Sequence, residues 1–209
     1  MAHASGRGRF VTLEGVDGAG KSTHIPWIAD RLRALGHAVL VTREPGGTAL
    51  AEELRGFVLS RPMDPVTETL LLFAARADHV REMILPALER GQWVLCDRFS
   101  DATLAYQGAG KGVSRALIEQ LAQAAHGALQ PDRTLVFDCP YEVSRARLES
   151  AGRKFDRFEA ENREFFERVR SAYARLSHDE PQRVRRIDAS RSIEEIRAEL
   201  RSHLSLEAR

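Results

Sequence analysis

A glycine-rich loop near the amino terminus carries the most specific chemical signal in the chain. Residues 15–23 read GVDGAGKST and match the phosphate-binding pattern G-x-x-x-x-G-K-[ST], whose fixed positions are Gly15, Gly20, Lys21 and Ser22. Glycines let the backbone wrap a phosphate with several N–H groups, and the start of the next helix adds partial positive charge. The lysine reaches the terminal phosphates and the serine hydroxyl can ligate magnesium. The loop therefore predicts a nucleoside-triphosphate site rather than a flexible turn that happens to precede a lysine.

A second cluster, TREPGGT at residues 42–48, follows the second predicted strand. Arg43 stands at the strand end, and the Pro-Gly-Gly sequence after it forces a tight turn. A guanidinium fixed there could hold a phosphate through two parallel hydrogen bonds. The alternative is a turn that carries a solvated arginine, and position alone favours the functional interpretation.

An acid and an arginine end the third predicted strand, in the sequence CDRF at residues 96–99. A carboxylate at the end of an apolar strand is where magnesium–nucleotide sites place their acid, which predicts that Asp97 helps to hold the metal. Arg98, next to it, could neutralise a second phosphate. The alternative is a surface ion pair between these two residues, which would contribute little.

Three polar side chains follow in SDATLAYQGAG, at residues 100–110. Thr103, Tyr106 and Gln107 stand at i, i+3 and i+4, so one helix face would carry all three. Such a face could read a base and a sugar, although a solvent-exposed polar face has the same pattern.

The composition is that of a soluble enzyme with one domain. The chain has 209 residues and a formal net charge of +1, which gives no case for nucleic acid or a membrane surface as a partner. No stretch reaches the length of a membrane span. Cys96 and Cys139 lie in apolar runs and predict buried thiols in a reducing cytoplasm rather than a disulfide framework. Residues 1–8 are expected to form a disordered tail, and residues 1–209 a single P-loop kinase domain.

Strand and helix patterns alternate along the whole chain. The predicted strands are Phe10–Glu14, Ala38–Thr42, Trp93–Asp97, Thr134–Asp138 and Val184–Asp188. The predicted helices are Ser22–Leu35, Ala49–Leu59, Thr67–Arg90, Arg115–His126, Glu142–Ser150, Glu159–Ser177 and Ile193–Leu204. Continuous apolar strands separated by helices predict an α/β fold, a five-stranded parallel sheet covered by helices on both faces, with ligands at the carboxyl ends of the strands. The cation-rich segment 150–158, SAGRKFDRF, separates two helices and is the candidate lid.

Together the clusters resemble the thymidylate kinases, of the nucleoside-monophosphate kinase group of P-loop proteins. The resemblance runs from about residue 10 to residue 204 and rests on GVDGAGKST, TREPGGT, LLFAAR at 71–76, DRF at 97–99 and AYQG at 105–108. The first motif occurs in many unrelated nucleotidases, whereas the combination with TREPGG, DRF and AYQG is highly specific. The resemblance implies transfer of the γ-phosphate of ATP to dTMP, giving dTDP, with magnesium, and a homodimer.

The resemblance also implies roles for individual residues. The ATP phosphates would be held by Gly15, Val16, Asp17, Gly18, Ala19, Gly20, Lys21, Ser22 and Thr23. The acceptor dTMP would be held by Asp17, Arg43, Phe73, Arg76, Arg98, Thr103, Tyr106 and Gln107. Magnesium would be held by Ser22 and by Asp97, the latter through water. The residues implied to act in catalysis are Lys21, Arg98 and Arg153.

Within the acceptor site the implied contacts are distinct. Asp17 would contact the sugar 3′-hydroxyl, and Arg43 and Arg98 would clamp the phosphate. Arg76 would bond a thymine carbonyl, and Thr103 the ring N3–H. In addition, Tyr106 would occupy the space of a ribose 2′-hydroxyl, and Gln107 would complete the pocket.

The chain departs from the family pattern in two places. Many members carry the thymine-stacking phenylalanine four residues before the arginine, where this chain has Leu72. Phe73, three residues before, is the predicted stacking residue because of its ring, with a core position as the alternative.

The second departure concerns the cation expected to reach the transferring phosphoryl group. The phosphate loop has Gly18 where some members place an arginine, so the segment 150–158 must supply the charge. Arg153 is the predicted residue, with Arg147 and Arg157 as alternatives, and Arg157 could simply pair with Asp156 or Glu159.

Three rival functions belong to other classes. A P-loop GTPase switch would need an N-K-x-D segment, but the only asparagine, Asn162, is followed by Arg163. A P-loop kinase for another deoxynucleotide or deoxynucleoside is the main alternative, and two candidate phosphate-clamping arginines favour an acceptor that already bears a phosphate. A nucleotide-binding protein without turnover is the third, and no catalytic part is missing from the sequence.

Overall fold

The computed structural model describes residues 7–152 and 154–206. Within them, one five-stranded sheet has the order β2-β3-β1-β4-β5. All four neighbouring pairs of strands are parallel. The strands are β1 Phe10–Gly15, β2 Val39–Arg43, β3 Trp93–Asp97, β4 Arg133–Asp138 and β5 Val184–Asp188. The predicted parallel α/β fold is confirmed.

Helices connect the strands of this sheet. Those of the described residues are α1 Lys21–Ala34, α2 Ala49–Ser60, α3 Pro65–His79, α4 Leu85–Glu89, α5 Ser100–Thr103, α6 Arg115–His126, α7 Tyr141–Ser150, α8 Arg163–Asp179 and α9 Ile193–Leu204. Two π-helical segments, Val80–Ile84 and Leu104–Gly110, continue α3 and α5. No described helix combines the length and apolarity needed to cross a membrane.

The central strand β1 is buried on both faces, and its neighbours in sequence pack into different cores. Val11 joins a large cluster with side chains of α1, α8 and α9. Phe10, one residue earlier, joins a second cluster with side chains of α4 and the Val80–Ile84 segment. Because successive strand residues point to opposite faces, the two clusters show helices covering both sides of the sheet.

The long helix predicted over Thr67–Arg90 is interrupted. The helical stretch begins at Pro65, where the side chain of Asp64 accepts from the Val66 amide at 2.8 Å. It widens into the π-helical turn Val80–Ile84 just before Pro86. Proline lacks an N–H and its ring clashes with the carbonyl four residues earlier, which gives a physical reason for the wider turn.

Two other predicted boundaries were wrong. The predicted helix Glu159–Ser177 begins only at Arg163, because the Asn162 side chain caps it by accepting from the Phe165 amide at 2.9 Å. Residues 1–6 of the predicted tail lie outside the described residues, but the amide of Gly8 donates to the Leu88 carbonyl at 2.8 Å and the residue is buried. The ordered chain therefore starts before residue 9.

The sheet brings the three sequence clusters to one edge. The phosphate loop follows β1, the TREPGGT turn follows β2 and the DRF turn follows β3, and these strands are neighbours in the order β2-β3-β1. Since they are parallel, their carboxyl ends meet at the same edge, where ligands of open α/β sheets bind.

Candidate active site

The phosphate loop has the backbone that its glycines permit. Gly15, Gly18 and Gly20 have φ values of 126°, 74° and 93°. A Cβ at Gly15 would stand 2.2 Å from the Phe137 carbonyl oxygen, so no other residue fits there. Helix α1 begins within this motif, at Lys21, and its first residues line the same cavity as Gly18 and Gly20.

The Lys21 ammonium is buried under the loop. Its Nζ donates to the carbonyl oxygens of Gly15 and Val16, each at 3.3 Å, and lies 4.0 Å from Asp97 Oδ1. Burial and the nearby Arg98 guanidinium lower the pKa of Lys21. A phosphate oxygen arriving here would offer the ammonium a stronger partner than the two neutral carbonyls.

Asp97 and Ser22 offer donors suited to magnesium. Both line a cavity of ≈ 630 Å³ over the phosphate loop, called here the donor cavity. The buried Oδ1 of Asp97 accepts no hydrogen bond from the described residues. A carboxylate oxygen without a hydrogen bond and a hydroxyl that lines the same cavity fit a hard cation, and the described residues hold no cluster of three or more metal-ligating acids, histidines or cysteines. The donor set therefore fits an ion that shares its ligands with nucleotide phosphates.

A smaller cavity of ≈ 100 Å³, called here the acceptor pocket, adjoins the donor cavity. Its lining consists of Asp17, Glu44, Pro45, Arg55, Leu59, Leu72, Arg76, Arg98, Phe99, Ala102, Thr103, Tyr106, Gln107, Asp156 and Phe158. Asp17, Glu44, Arg55, Arg98 and Asp156 line the donor cavity as well, so the two spaces share a wall.

Arg98 is the most tightly held group on that shared wall. It has a left-handed φ of 72°, and its Nη2 donates to Asp17 Oδ1 at 2.6 Å and to the Tyr106 hydroxyl at 2.9 Å. The Tyr106 hydroxyl in turn donates to Asp17 Oδ2 at 2.9 Å. Burial opposes the ionisation of Asp17, but Arg98 and Lys21 outweigh it and lower the pKa of this carboxyl. The three side chains therefore form one charged, hydrogen-bonded unit.

Glu14, the residue before the phosphate loop, helps to hold this unit through hydrogen bonds to its neighbours. Its carboxylate accepts from the Phe99 amide and from the Tyr173 hydroxyl, each at 2.7 Å. Burial and the nearby Asp101 carboxylate raise the pKa of Glu14 to about 7. The bond to Phe99 fixes the backbone directly after Arg98 and thus helps to hold its left-handed conformation.

Arg76 reaches the pocket from α3 and is only 3% exposed. Its Nε donates to Glu44 Oε2 at 2.6 Å, and its Nη2 donates to the Phe99 carbonyl and to Thr103 Oγ1 at 3.2 and 3.1 Å. The remaining nitrogen, Nη1, is buried without a hydrogen-bond partner in the described chain.

Phe73, predicted to stack on the base, does not line the acceptor pocket, whereas Leu72 does. The Phe73 ring packs in a buried cluster with Val113 and Ile118, and the Arg76 guanidinium lies 4.6 Å from its centroid. The structure thus corrects this prediction, because α3 turns position 72 to the pocket and position 73 to the core.

Arg43 also differs from its predicted place. Its side chain is 55% exposed, donates to both Glu52 carboxylate oxygens at 3.1 and 3.0 Å, and lines the donor cavity but not the acceptor pocket. Arg55, which sequence reasoning missed, lines both cavities. Its Nη1 donates to the Pro45 carbonyl at 2.9 Å, which holds the guanidinium at the shared wall.

The predicted face of Thr103, Tyr106 and Gln107 lines the acceptor pocket as a set. Gln107 donates through Nε2 to Glu68 Oε1 at 2.7 Å. The helix widens to a π-helical segment from Leu104, but the three residues still share a surface.

Of the candidate lid cations, Arg153 lies outside the described residues. Arg147 lines the donor cavity, where its Nη2 donates to the Ala189 carbonyl at 2.9 Å. Arg157 donates to the Val58 carbonyl at 2.8 Å and to Glu68. The predicted pairing of Arg157 with Asp156 or Glu159 is thus replaced by an anchor on α2 and α3.

Several pocket residues escaped the sequence analysis. Glu44 was within reach, since it lies inside TREPGGT next to the arginine that was chosen. Arg55, Leu59 and Asp156 carry no motif of their own, and only the folded chain brings them to the shared wall or the pocket.

Comparisons with known proteins agree with one another. The family model described as thymidylate kinase matches residues 13–200. The chain is 57% identical over 198 residues to the thymidylate kinase of Bordetella pertussis, covering 95% of each chain. It is 56% identical over 201 residues to that of Cupriavidus taiwanensis, covering 95% of this chain and 98% of the relative. The crystal structure of thymidylate kinase from Ehrlichia chaffeensis superposes with a TM-score of 0.78 at 31% identity, covering 96% of this chain and 99% of that one.

Proposed function

The chain belongs to the thymidylate kinase family, and we propose from that premise that dTMP occupies the acceptor pocket and ATP the donor cavity. The reaction is the ATP-dependent phosphorylation of dTMP to dTDP, as the sequence predicts.

The observation that carries the assignment is the free nitrogen of Arg76. Arg76 lines the acceptor pocket and its buried Nη1 has no acceptor in the described chain, so a ligand in the pocket that supplied an acceptor would satisfy this donor. A thymine carbonyl supplies such an acceptor. We assign the ring N3–H beside that carbonyl to Thr103 Oγ1, which already accepts from Arg76.

The other end of the acceptor lies at the shared wall. Arg98 and Arg55 line both cavities there, and Arg43 lines the donor side. We assign the dTMP phosphate to this group of arginines, because three guanidinium groups neutralise the charge of the acceptor phosphate and of the phosphoryl group that approaches it. Asp17 and Tyr106 close the wall at the sugar, with Asp17 toward the 3′-hydroxyl and the Tyr106 ring where a 2′-hydroxyl would stand.

On the donor side, the loop residues 15–23 bind the ATP phosphates and Lys21 follows the transferred group. We propose that Ser22 and Asp97 hold Mg²⁺, Asp97 through water. When bound, the ion would add positive charge at the phosphates. Lys21 lies 4.0 Å from Asp97 and would therefore stay close to the same phosphate groups. The protein thus contributes positioning and charge rather than a covalent step.

The segment 150–158 is proposed to close over ATP, with Arg153 as the cation that reaches the phosphoryl group. Two of its residues already border the ligand space, since Asp156 lines both cavities and Phe158 lines the acceptor pocket. Closure over the shared wall would exclude water from the transfer.

We further propose a cytoplasmic homodimer. Four large apolar side chains of α2 and α3, two helices in contact with each other, are exposed, namely Leu50, Phe57, Val66 and Leu70. Exposed apolar side chains on neighbouring helices support a subunit interface. The free buried thiols Cys96 and Cys139 fit a reducing compartment. Light scattering should give twice the chain mass, and Phe57→Glu should give the monomer, with Arg115→Glu, an exposed position at the start of α6, as the control.

The assay that tests the acceptor assignment measures ADP release across the common nucleoside monophosphates. We expect dTMP to be preferred and UMP to be nearly inert, because a ribose hydroxyl pressed against Tyr106 loses water without gaining a partner, at about 1–3 kcal/mol. Burial of the thymine methyl adds about 0.8 kcal/mol. Tyr106→Ala should relax this selectivity more than Tyr106→Phe does, because the bulk of the ring excludes the hydroxyl. Equal kcat/KM for UMP and dTMP would refute the pocket, and a preference for another deoxynucleotide would favour the alternative kinase.

A further inference from the structure

A network of buried polar side chains, joined by hydrogen bonds, lies next to the acceptor pocket and ends at Arg76. Thr42 of β2, Glu44 of the following turn, and His79 and Arg76 of α3 are each less than 10% exposed. The Thr42 Oγ1 and His79 Nε2 atoms are 2.7 Å apart, and His79 Nδ1 is 3.1 Å from Glu44 Oε1. The second Glu44 oxygen accepts from Arg76 Nε at 2.6 Å.

The direction of these bonds follows from the carboxylate. Burial opposes the ionisation of Glu44, but Arg76 and His79 outweigh it and lower the pKa of this group. An ionised carboxylate only accepts, so His79 Nδ1 donates to it. With Nδ1 as the donor, Nε2 bonds the Thr42 hydroxyl, which can donate or accept, and the network is hydrogen-bonded from Thr42 to Arg76.

Two of the three nitrogens of the guanidinium at the end of this network are held by hydrogen bonds. Nε is bound to Glu44 and Nη2 to Phe99 and Thr103, while the rings of Phe73 and Phe99 lie 4.6 and 5.3 Å from the guanidinium carbon. Nη1 has no hydrogen-bond partner in the described chain, and the bonds at Nε and Nη2 fix its position. Glu44 also balances the buried positive charge of Arg76, so an uncharged base meets a pair without net charge.

The close approach of the turn to α3 supports the same function. Gly47 has φ 93°, and a Cβ there would stand 2.5 Å from the His79 ring and 2.8 Å from Thr42 Oγ1. The glycine thus lets the TREPGGT turn press on His79, which places Glu44 between that ring and Arg76.

We propose that Glu44, oriented by His79 and Thr42, is a positioning residue that fixes Arg76 as a rigid donor and so makes the acceptor pocket select bases with a carbonyl over bases with an amino group at that point. The inference rests on the proposed function of this pocket. Thymine offers a carbonyl to Nη1, whereas cytosine offers an amino group, and two donors facing each other leave both unpaired. If Arg76 were free to rotate, dTMP would lose a bond and dCMP would lose a repulsion.

The test measures kcat and KM for dTMP and for dCMP with the full chain and with Glu44→Gln. We expect the dTMP:dCMP ratio of kcat/KM to fall by at least about tenfold, mainly through a higher KM for dTMP. Asp101→Asn is the matched control, because Asp101 is also a buried carboxylate paired with an arginine, Arg183 at 2.7 Å, and does not line the pocket. That control should leave the ratio unchanged.

Two substitutions of His79 separate positioning from folding. His79→Leu removes both hydrogen bonds and should lower the ratio, whereas His79→Gln keeps a donor for Glu44 and an acceptor for Thr42 and should restore much of it. If Glu44→Gln and His79→Leu each kept the unmodified ratio while turnover fell for both acceptors alike, the positioning role would be overturned and Glu44 would be purely structural. A different result, no phosphorylation of dTMP by the unmodified chain, would overturn the proposed function itself.

Discussion

The two cavities that share the wall of Asp17, Arg55 and Arg98 are built differently. In the acceptor pocket, ≈ 100 Å³, most polar side chains are already bonded to one another, as Arg98 is to Tyr106 and Arg76 is to Thr103, and Arg76 Nη1 alone of these atoms lacks a partner in the described chain. In the donor cavity, ≈ 630 Å³, Asp97 Oδ1 has no hydrogen-bond partner in the described chain and Lys21 rests on neutral carbonyls.

The difference indicates where selectivity and where rate are decided. A small pocket whose donors are fixed in advance discriminates between acceptors through geometry. On the proposed assignment, the triphosphate, its metal and the segment 150–158 would complete the wide cavity around the buried Lys21 ammonium and the Asp97 carboxylate, so the groups of that cavity would act on the transfer itself. Donor-side changes should therefore lower kcat, and acceptor-side changes should raise KM or alter the choice of acceptor.

Lys21→Ala is the donor-side change for which we expect the largest loss of kcat. We expect kcat to fall by about a thousandfold or more, because the variant removes a preorganised cation from the transferring group, while the KM for dTMP stays within a few-fold. Steady-state kinetics and circular dichroism provide the measurement, and Arg115→Ala, an exposed arginine that lines neither cavity, is the control. A Lys21→Ala enzyme with kcat near that of the unmodified chain would mean that the donor site is wrongly assigned.

Substitutions of the candidate lid arginines test which cation on the donor side acts on the transferring phosphoryl group. Arg153→Ala should lower kcat by at least about a hundredfold with little change in dTMP affinity, since an inserted arginine stabilises the charge on the transferring phosphoryl. Arg157→Ala should cost less in kcat and more in melting temperature, because this side chain anchors the lid to Glu68 and the Val58 carbonyl.

Arg147 is the internal comparison for the lid. Its guanidinium is held by the carbonyls of Ala19 and Ala189 at 3.4 and 2.9 Å, next to the phosphate loop. If Arg147→Ala lost more kcat than Arg153→Ala, the catalytic cation would move to α7 while the kinase assignment stayed intact. Near-normal kcat in all three variants would end the idea that this segment supplies the charge.

Leu72 and Phe73 test the acceptor side at adjacent positions. Leu72→Ala should raise the KM for dTMP by about tenfold with a small change in melting temperature, because Leu72 lines the pocket. Phe73→Ala should instead destabilise the protein by about 3–5 kcal/mol, as expected when a buried ring is deleted from a core. The opposite pattern, a change of KM at Phe73 without loss of stability and no effect at Leu72, would restore the stacking role first predicted for the ring.

The smallest expected effect concerns Glu14, whose pKa is raised by burial from 4.5 to about 7. A carboxyl with a raised pKa in the folded state contributes stability that is complete below pH 4.5 and is lost as the pH rises through about 7. Glu14→Gln should therefore flatten the fall in melting temperature between about pH 5 and pH 8.

Calorimetry at several pH values makes this measurement, with Glu119→Gln of an exposed ion pair as the control. His24 and His126, whose pKa values burial lowers, contribute the opposite slope, but they are common to all three proteins. An unchanged slope in Glu14→Gln would show that this carboxyl titrates at its ordinary pKa.

Much of the fold was predictable from the sequence, and the reasons are local. The strands Trp93–Asp97 and Val184–Asp188 and the helices Arg115–His126 and Ile193–Leu204 begin and end where predicted, because apolar runs, helical periodicity and serine caps mark them. The interruption before Pro86 and the late start of α8 were missed, since a π-helical turn and the choice among several polar residues as cap depend on packing.

The phosphate-binding chemistry was also predictable from the sequence alone. The order of Gly15, Gly20, Lys21 and Ser22 is a contiguous pattern, so the backbone geometry of one loop dictates phosphate binding wherever that loop lies. The position of Asp97 and Arg98 near the phosphate loop was predictable for an equally simple reason. The carboxyl ends of all parallel strands lie at one edge of the sheet.

Which side chains line the acceptor pocket could be seen only in the folded chain. Leu72 rather than Phe73 faces the pocket because the rotation of α3 is set by its packing on α2 and α6, and a one-residue shift turns a helical side chain by about 100°. Glu44 bonds Arg76 across 32 residues, and Arg157 reaches α3 across 89. Such contacts have no periodicity along the chain, so they exist only once the sheet has brought its edges together.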